Sequence, residues 1–286
     1  MRMVQQVLRD DWASSAIPPE RVMFYMRLPR DDESPATMKQ MSRNVLVTGA
    51  GRRIGAAIAR RMAQAGWGVV LHHNASGADA QALAGELPRA WTIQADLADP
   101  AAAAALPGQA AALCGGLHGL VNNASLFEYD TPGVFDPTLF ARHMAVNLLA
   151  PALLTQGFAA LLPEGCDGAV VNLLDNRLYA ANPDYFTYSL SKYGLAGMTE
   201  MHALAFAPRI RVNGVAPAIT LVSGDQSEEN FRRAHVNNPL ERGVAAEDVA
   251  EAVAYLMASP STTGSVVVVD SGQRLRRRGR DVAFAS

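Results

Sequence analysis

The chain has 286 residues, with 25 Lys+Arg against 27 Asp+Glu and a formal net charge of −2. That balance excludes a general nucleic-acid binder, which carries a basic surface. With 49% apolar and 18% charged residues, the composition excludes a disordered chain. Cys114 and Cys166 are too few for a disulfide framework and read as small apolar residues in a reducing compartment. No apolar run reaches the roughly 18–20 residues of a membrane span. No secretory signal opens the chain, so a cytoplasmic location without membrane or nucleic-acid partners is expected.

Residues 1–42 mix charges with Pro18, Pro19, Pro29 and Pro35 and show no sustained period. They read as a flexible N-terminal extension, with room for a short helix over 4–12 and for Phe24 and Tyr25 to dock. Met38 or Met41 is an alternative start. From Asn44 onward short β-branched runs alternate with Ala-rich helical stretches. The runs fall at 45–48, 69–72, 91–94, 119–122, 169–174, 211–215 and 266–269. Helical patterns lie near 54–65, 77–86, 99–114, 137–162, 185–207 and 246–258. Strand–helix alternation predicts an α/β fold, a single Rossmann-type doubly wound parallel sheet of about seven strands. The runs lack polar alternation, as strands covered on both faces should. The domain is expected over 43–275. The arginine-rich segment 276–286 reads as a solvated basic tail.

The first strand leads into Thr48-Gly49-Ala50-Gly51-Arg52-Arg53-Ile54-Gly55 and then a helix. This is the setting a glycine fingerprint needs. Gly49 permits the tight turn, Gly55 a close helix, and the helix N-terminus offers N–H groups to a pyrophosphate. A site for NAD usually has an acid after the second strand. Here that strand continues as His72-His73-Asn74-Ala75-Ser76, without a carboxylate. Arg52 and Arg53 suit a 2′-phosphate, with Asn74 and Ser76 as further donors, so NADPH is the expected cofactor. Solvated loop charges are the alternative for the arginines. His72 and His73 have no third ligand beside them, so no metal site is expected.

Tyr188 and Lys192 stand at i and i+4 on one helix face. An ammonium near the phenol would lower its pKa and ready it for proton transfer. Just upstream, the fifth strand ends in Asp175, at the sheet edge where open α/β folds hold ligands. Asp175 is either an active-site acid or a turn cap. Asn122 and Asn123 end the fourth strand, where they can tie loops together or touch a ribose. Asn147 lies mid-helix, a mildly unfavourable place. It reads as surface polarity or as the holder of a bend or a water.

Taken together, Thr48-Gly49-x-x-x-Arg53-Ile54-Gly55, Asn122-Asn123-Ala124, Asn147, Tyr188-x-x-x-Lys192 and Asn213-x-Val215-x-Pro217 resemble the short-chain dehydrogenase/reductase family in order and kind. The resemblance spans 42–275. Asp175 stands where the family usually has Ser, and Arg53 replaces its third glycine. Both changes resemble the pteridine reductase and dihydromonapterin reductase branch, as do Ser125 and the aromatic Phe127.

The resemblance implies cofactor contacts from Gly49, Arg52, Arg53, Ile54, Asn74, Ser76, Asp96, Leu97, Asn123, Ala124, Ser125, Tyr188, Lys192, Pro217 and Ile219. It implies substrate contacts from Ser125, Phe127, Asp175 and Tyr188, and a catalytic set of Asp175, Tyr188, Lys192 and Asn147. Lys192 would touch the nicotinamide ribose, Asn147 would hold a water beside it, and Asp96 would lie by the adenine. Residues 221–238 would form a substrate lid. Phe127 would sandwich a flat pterin against the nicotinamide; a core or interface aromatic is the alternative. The expected activity is NADPH-dependent reduction of a dihydropterin C=N bond. A ketone reductase and a non-catalytic NADP-binding sensor are the alternatives. The resemblance also implies a homotetramer or homodimer.

Overall fold

The computed structural model describes residues 43–222, 226–276 and 279–284. The extension 1–42, Ser223 and Gly224 of the expected lid, and Arg277 and Arg278 lie outside the described residues.

Seven parallel strands form one sheet: β1 (Asn44–Val47), β2 (Gly68–His73), β3 (Ala90–Gln94), β4 (Gly119–Asn122), β5 (Gly168–Leu173), β6 (Ile210–Pro217) and β7 (Val266–Val269). Their order is β3-β2-β1-β4-β5-β6-β7. The order reverses between β1 and β4, which opens the crevice where such sheets bind ligands. The helices are α1 (Arg53–Gln64), α2 (Gly77–Glu86), α3 (Pro100–Cys114), α4 (Pro137–Met144), α5 (Ala150–Leu161), α6 (Phe186–Phe206), α7 (Glu228–His235) and α8 (Ala246–Ala258). The expected fold class and every predicted strand are present, with ends shifted by one or two residues.

Alternate strand residues serve different cores. Val45, Val47, Val69, Leu71, Val121 and Val171 pack with Ile58 and Met62 of α1 and Val249, Val253 and Leu256 of α8. Leu46, Val70, Leu120 and Val170 pack with Leu106 of α3 and Leu154 and Phe158 of α5. Both faces are covered, which explains the unbroken apolar runs.

Two expectations need correction. The stretch 137–162 is not one α-helix, because a π-helical turn at Ala145–Leu149 separates α4 from α5. Also, by length and composition alone Pro137–Leu161 is long and apolar enough to cross a membrane, an 18-residue window within it having a mean hydropathy of 1.5. Polar residues such as His143 and Asn147 interrupt it, so it holds no continuous apolar run of that length. Here its Ala150, Leu154 and Phe158 are buried in the core between strands and neighbouring helices.

Candidate active site

A cleft of about 1410 Å³ opens along the carboxyl ends of β1 through β6. Its walls include Gly49, Arg52, Arg53, Ile54, Asn74, Ser76, Asp96, Leu97, Asn123, Ala124, Ser125, Phe127, Asp175, Tyr188, Lys192, Pro217 and Ile219. Of the sequence-predicted site residues, Asn147 alone stands behind the wall.

At one end lies the glycine turn. Gly49 has φ +62, and a Cβ there would lie 3.1 Å from Ala124 Cα. A Cβ on Gly55 would come within 2.1 Å of Gly49 O. The turn therefore needs both glycines, one for conformation and one for space. Helix α1 has no side-chain cap bond and no acid in its first turn. Its leading N–H groups suit an anion. Behind the turn, Gly49 N–H donates to His72 Nδ1 at 3.1 Å, and His72 Nε2 lies 3.2 Å from Ala95 O. Burial lowers the His72 pKa to about 4, so the ring stays neutral and serves as a strut.

The two arginines diverge. Arg52 Nε pairs with Asp79 at the surface. Arg53, at φ +57, donates from Nη1 to Val222 O at 2.6 Å, across the cleft. No carboxylate ends β2. Asp96, at the exit of β3, accepts the Ala98 N–H at 2.9 Å and faces Asn74 Nδ2 at 3.5 Å.

The asparagines after β4 tie the structure together. Asn123 Nδ2 donates to Thr48 O at 2.7 Å and Gly49 O at 3.2 Å. Asn122 Nδ2 donates to Asn172 Oδ1 at 2.8 Å, inside the sheet. Asn147 sits on the π turn, a distortion common at functional sites. Its Oδ1 accepts from Leu126 N at 2.8 Å and Ser125 Oγ at 3.2 Å. Its Nδ2 donates to Leu126 O and to Ser191 Oγ, both at 3.0 Å. An amide side chain has two donor hydrogens and two acceptor lone pairs. All four are taken by protein. It pins the Ser125 loop to α6.

The fifth strand delivers Asp175, whose Oδ1 accepts the Arg177 N–H at 2.9 Å and caps a 3₁₀ turn, Asn176–Leu178. Its Oδ2 accepts the Tyr188 hydroxyl at 2.7 Å. One oxygen of Asp175 thus caps the turn, and the other meets the Tyr188 hydroxyl. Lys192 Nζ donates to Leu173 O at 2.7 Å and lies 5.6 Å from the Tyr188 ring centroid. Burial lowers the Lys192 pKa to about 8, against a smaller upward pull from Asp175. Tyr188 does not have the lowered pKa that its spacing to Lys192 suggested. Burial raises it well above the usual phenol value, and the charge and hydrogen bond of Asp175 raise it further. Burial first, and then the adjacent anion, set the phenol's pKa.

At the far end Phe127 is stacked on Tyr185, centroids 4.2 Å apart, and meets Tyr188 edge-on at 4.7 Å. Tyr185 holds a left-handed conformation, φ +53, at the N-terminus of α6. Such backbone strain in a bulky residue clusters at functional sites. The Arg177 guanidinium lies 4.7 Å from the Tyr185 centroid and 3.7 Å from Asp175 Oδ1. Next in sequence to Tyr188, Thr187 Oγ1 accepts from His143 Nδ1 at 2.7 Å and donates to Asp130, whose Oδ1 also accepts the Thr187 N–H at 3.0 Å. This buried network fixes the start of α6.

The segment expected to be a solvated tail is not one over 279–284. Asp281 pairs with the buried Arg177, and Phe284 packs on Tyr129 and Tyr185. Arg177, Tyr185, Asp281 and Phe284 all line the cleft and were not singled out from sequence. Arg177 stands two residues after Asp175 and Tyr185 three before Tyr188, which was the available signal. Asp281 and Phe284 reach the site only through tertiary packing.

Residues 49–274 match the family model described as enoyl-(acyl carrier protein) reductase. A cis-4-hydroxycyclohexanecarboxylate dehydrogenase of Sinomonas cyclohexanicum is 34% identical, over 80% of this chain and 96% of that protein. Pteridine reductase 1 of Leishmania tarentolae is 32% identical, over 81% of this chain and 96% of that protein. The structure of FolM alternative dihydrofolate reductase 1 from Brucella canis, complexed with NADP, superposes with a TM-score of 0.80 at 40% identity. That match covers 85% of this chain and 97% of the other. The glycine turn, the sheet order and these matches agree: the chain belongs to the short-chain dehydrogenase/reductase family of oxidoreductases.

Proposed function

We propose that this oxidoreductase uses NADPH to reduce the C=N bond of a 7,8-dihydropterin. The observation that carries the reading is the 2.7 Å hydrogen bond between Tyr188 and Asp175. A carboxylate accepts hydrogen bonds and disfavours a developing alkoxide beside it. It suits a substrate that presents N–H groups and takes up a proton on nitrogen. A ketone is better polarised by a hydroxyl donor.

The residues fit the cofactor. The open N-terminus of α1 and the turn at Gly49 would hold the pyrophosphate. Arg52, Asn74 and Ser76 would hold the 2′-phosphate, with Arg52 exchanging its exposed Asp79 partner, a weak one in water. Asp96 and Leu97 flank the adenine end. Lys192, with Asn123, Ala124, Ser125, Pro217 and Ile219, would hold the nicotinamide ribose and carboxamide. When bound, NADPH supplies the hydride to carbon.

Tyr188 delivers the accompanying proton to the substrate nitrogen. Its raised pKa keeps it protonated at neutral pH, and Asp175 holds the hydroxyl in place. Phe127 and Tyr185 offer a flat wall for the pterin ring. Asn147 keeps the Ser125 loop seated. Oxidoreduction of an alcohol or ketone is the second reading, favoured by the likeness to the Sinomonas dehydrogenase. An oligomer of this chain, a homotetramer or homodimer, is part of the proposal.

The test follows NADPH oxidation with 7,8-dihydromonapterin, dihydrobiopterin and dihydrofolate beside a ketone panel. Turnover of dihydropterins is expected. Turnover of ketones alone would reassign the protein to carbonyl reduction. NADPH binding without any turnover would favour a sensor.

A further inference from the structure

The carboxylate of Asp184 is 1% exposed, and most of its partners come from the chain's C-terminal residues. It accepts Arg280 Nε at 2.8 and 3.0 Å, the Asp281 N–H at 2.7 Å and the Tyr129 hydroxyl at 3.2 Å. A buried anion is costly unless it is paired and hydrogen-bonded. Without residues 280–281, Asp184 would keep only Tyr129 among these donors. The loop before α6 is therefore built around the C-terminal segment.

That segment continues across the cleft. The Asp281 carboxylate pairs with Arg177, whose guanidinium faces Asp175 and the rings of Tyr185 and Phe127. Ala283 O accepts Asn230 Nδ2 of α7 at 2.8 Å, joining the segment to the expected lid helix. Phe284 lies parallel to Tyr185 within 18°, centroids 6.2 Å apart.

We infer that residues 280–284 form a strap that completes the substrate half of the cleft, with Asp281 and Phe284 as specificity-determining residues. Phe284 extends the aromatic wall that begins at Phe127 and Tyr185. Asp281 positions Arg177, and through it the charge balance around Asp175. The strap suits a planar, N–H-bearing heterocycle, which stacks on rings and is read by carboxylates. The inference rests on the assignment of Phe127 and Asp175 to the substrate half.

The experiment compares the full chain with Phe284→Ala, Phe284→Tyr, Asp281→Asn and a chain ended after Gly279. Steady-state kinetics on the dihydropterin and ketone panel is read beside NADPH Kd by fluorescence. The shortened chain is expected to raise the dihydropterin KM about tenfold or more. Phe284→Ala should raise it by about three- to tenfold, the factor set by one aromatic contact, and Phe284→Tyr should restore it. In Phe284→Ala, NADPH Kd and kcat should stay within about twofold, a split that a general loss of structure would not give. An unchanged KM in Phe284→Ala and Asp281→Asn overturns the strap while leaving the dihydropterin reading intact, and these two decide if the shortened chain does not fold. If the full chain reduces ketones alone, the dihydropterin reading fails, and the strap is judged by the same KM shift on the ketone. A full chain that turns over neither class overturns both.

Discussion

The Tyr188 hydroxyl donates to Asp175 Oδ2 across 2.7 Å, and the anion it meets adds to the burial that keeps the phenol protonated. The relationship is one of storage: the proton needed at the substrate nitrogen is held where solvent hydroxide does not readily remove it. Tyr188→Phe removes the proton and leaves the ring that packs on Phe127. NADPH oxidation with the preferred substrate should fall by about 10²–10⁴-fold, the usual worth of a positioned acid. NADPH affinity, read by fluorescence titration, should hold. A variant retaining most of its turnover would remove Tyr188 from the proton-transfer role.

Asp175→Ser should change both selectivity and pH dependence. It removes an anion and a hydrogen bond that raise the Tyr188 pKa, so that pKa falls. The alkaline limb of kcat/KM should then move to lower pH. Loss on a dihydropterin should exceed loss on a ketone, because Ser restores a donor suited to oxygen. Full pH profiles on both substrates check this. Equal losses on the two, with an unmoved alkaline limb, would sink the carboxylate argument.

Lys192 is 3% exposed, and its pKa of about 8 lies below the ordinary 10.5. Below pH 8 the lysine is charged in both folded and unfolded chains, so the full burial cost weighs on the fold. Between about 8 and 10.5 the folded lysine is neutral while the unfolded one still binds a proton, so stability rises with pH. Lys192→Met removes that cost. At pH 7 the cofactor-free variant should melt higher, by about 2–4 °C for each kcal/mol relieved. The gap should shrink toward pH 10, and activity should be lost, as expected where a functional charge is buried. Thermal melts of both proteins at the two pH values decide it; a gap that ignores pH would contradict the account.

The sheet was legible because its strands are buried on both faces and its helices are Ala-rich, so periodicity and tertiary structure agree. Asp175, Tyr188 and Lys192 were legible because each sits at a strand end or on one helix face, positions that topology brings together. What escaped depends on long-range packing. The π turn at Ala145–Leu149 arises where Asn147 is claimed by Leu126 and Ser191, two partners distant in sequence. The residues 280–284 look like the end of an arginine-rich tail until Asp184 and Arg177 are placed beside them. The sign of the Tyr188 shift failed for the same reason. Local spacing shows the lysine four residues on, but neither the burial that dominates the shift nor the charge from a strand thirteen residues back.

One face of α6 remains to be covered. Leu190, Tyr193, Met201 and Leu204 are 37%, 42%, 62% and 83% exposed. With the exposed Gly197 they recur at spacings of three, four, four and three, which is one stripe of the helix. The stripe is too regular for scattered surface apolars, and Gly197 lets a second backbone approach closely. A self-complementary pairing across a two-fold axis would bury it in a homodimer or a tetramer built from it. Met201→Glu with Leu204→Glu places like charges at the centre of that contact. Sedimentation should show an oligomer for the unmodified chain and a smaller species for the double variant, with circular dichroism unchanged. If the unmodified chain sediments as a monomer at micromolar concentration, this stripe has another occupant and the proposed assembly is wrong.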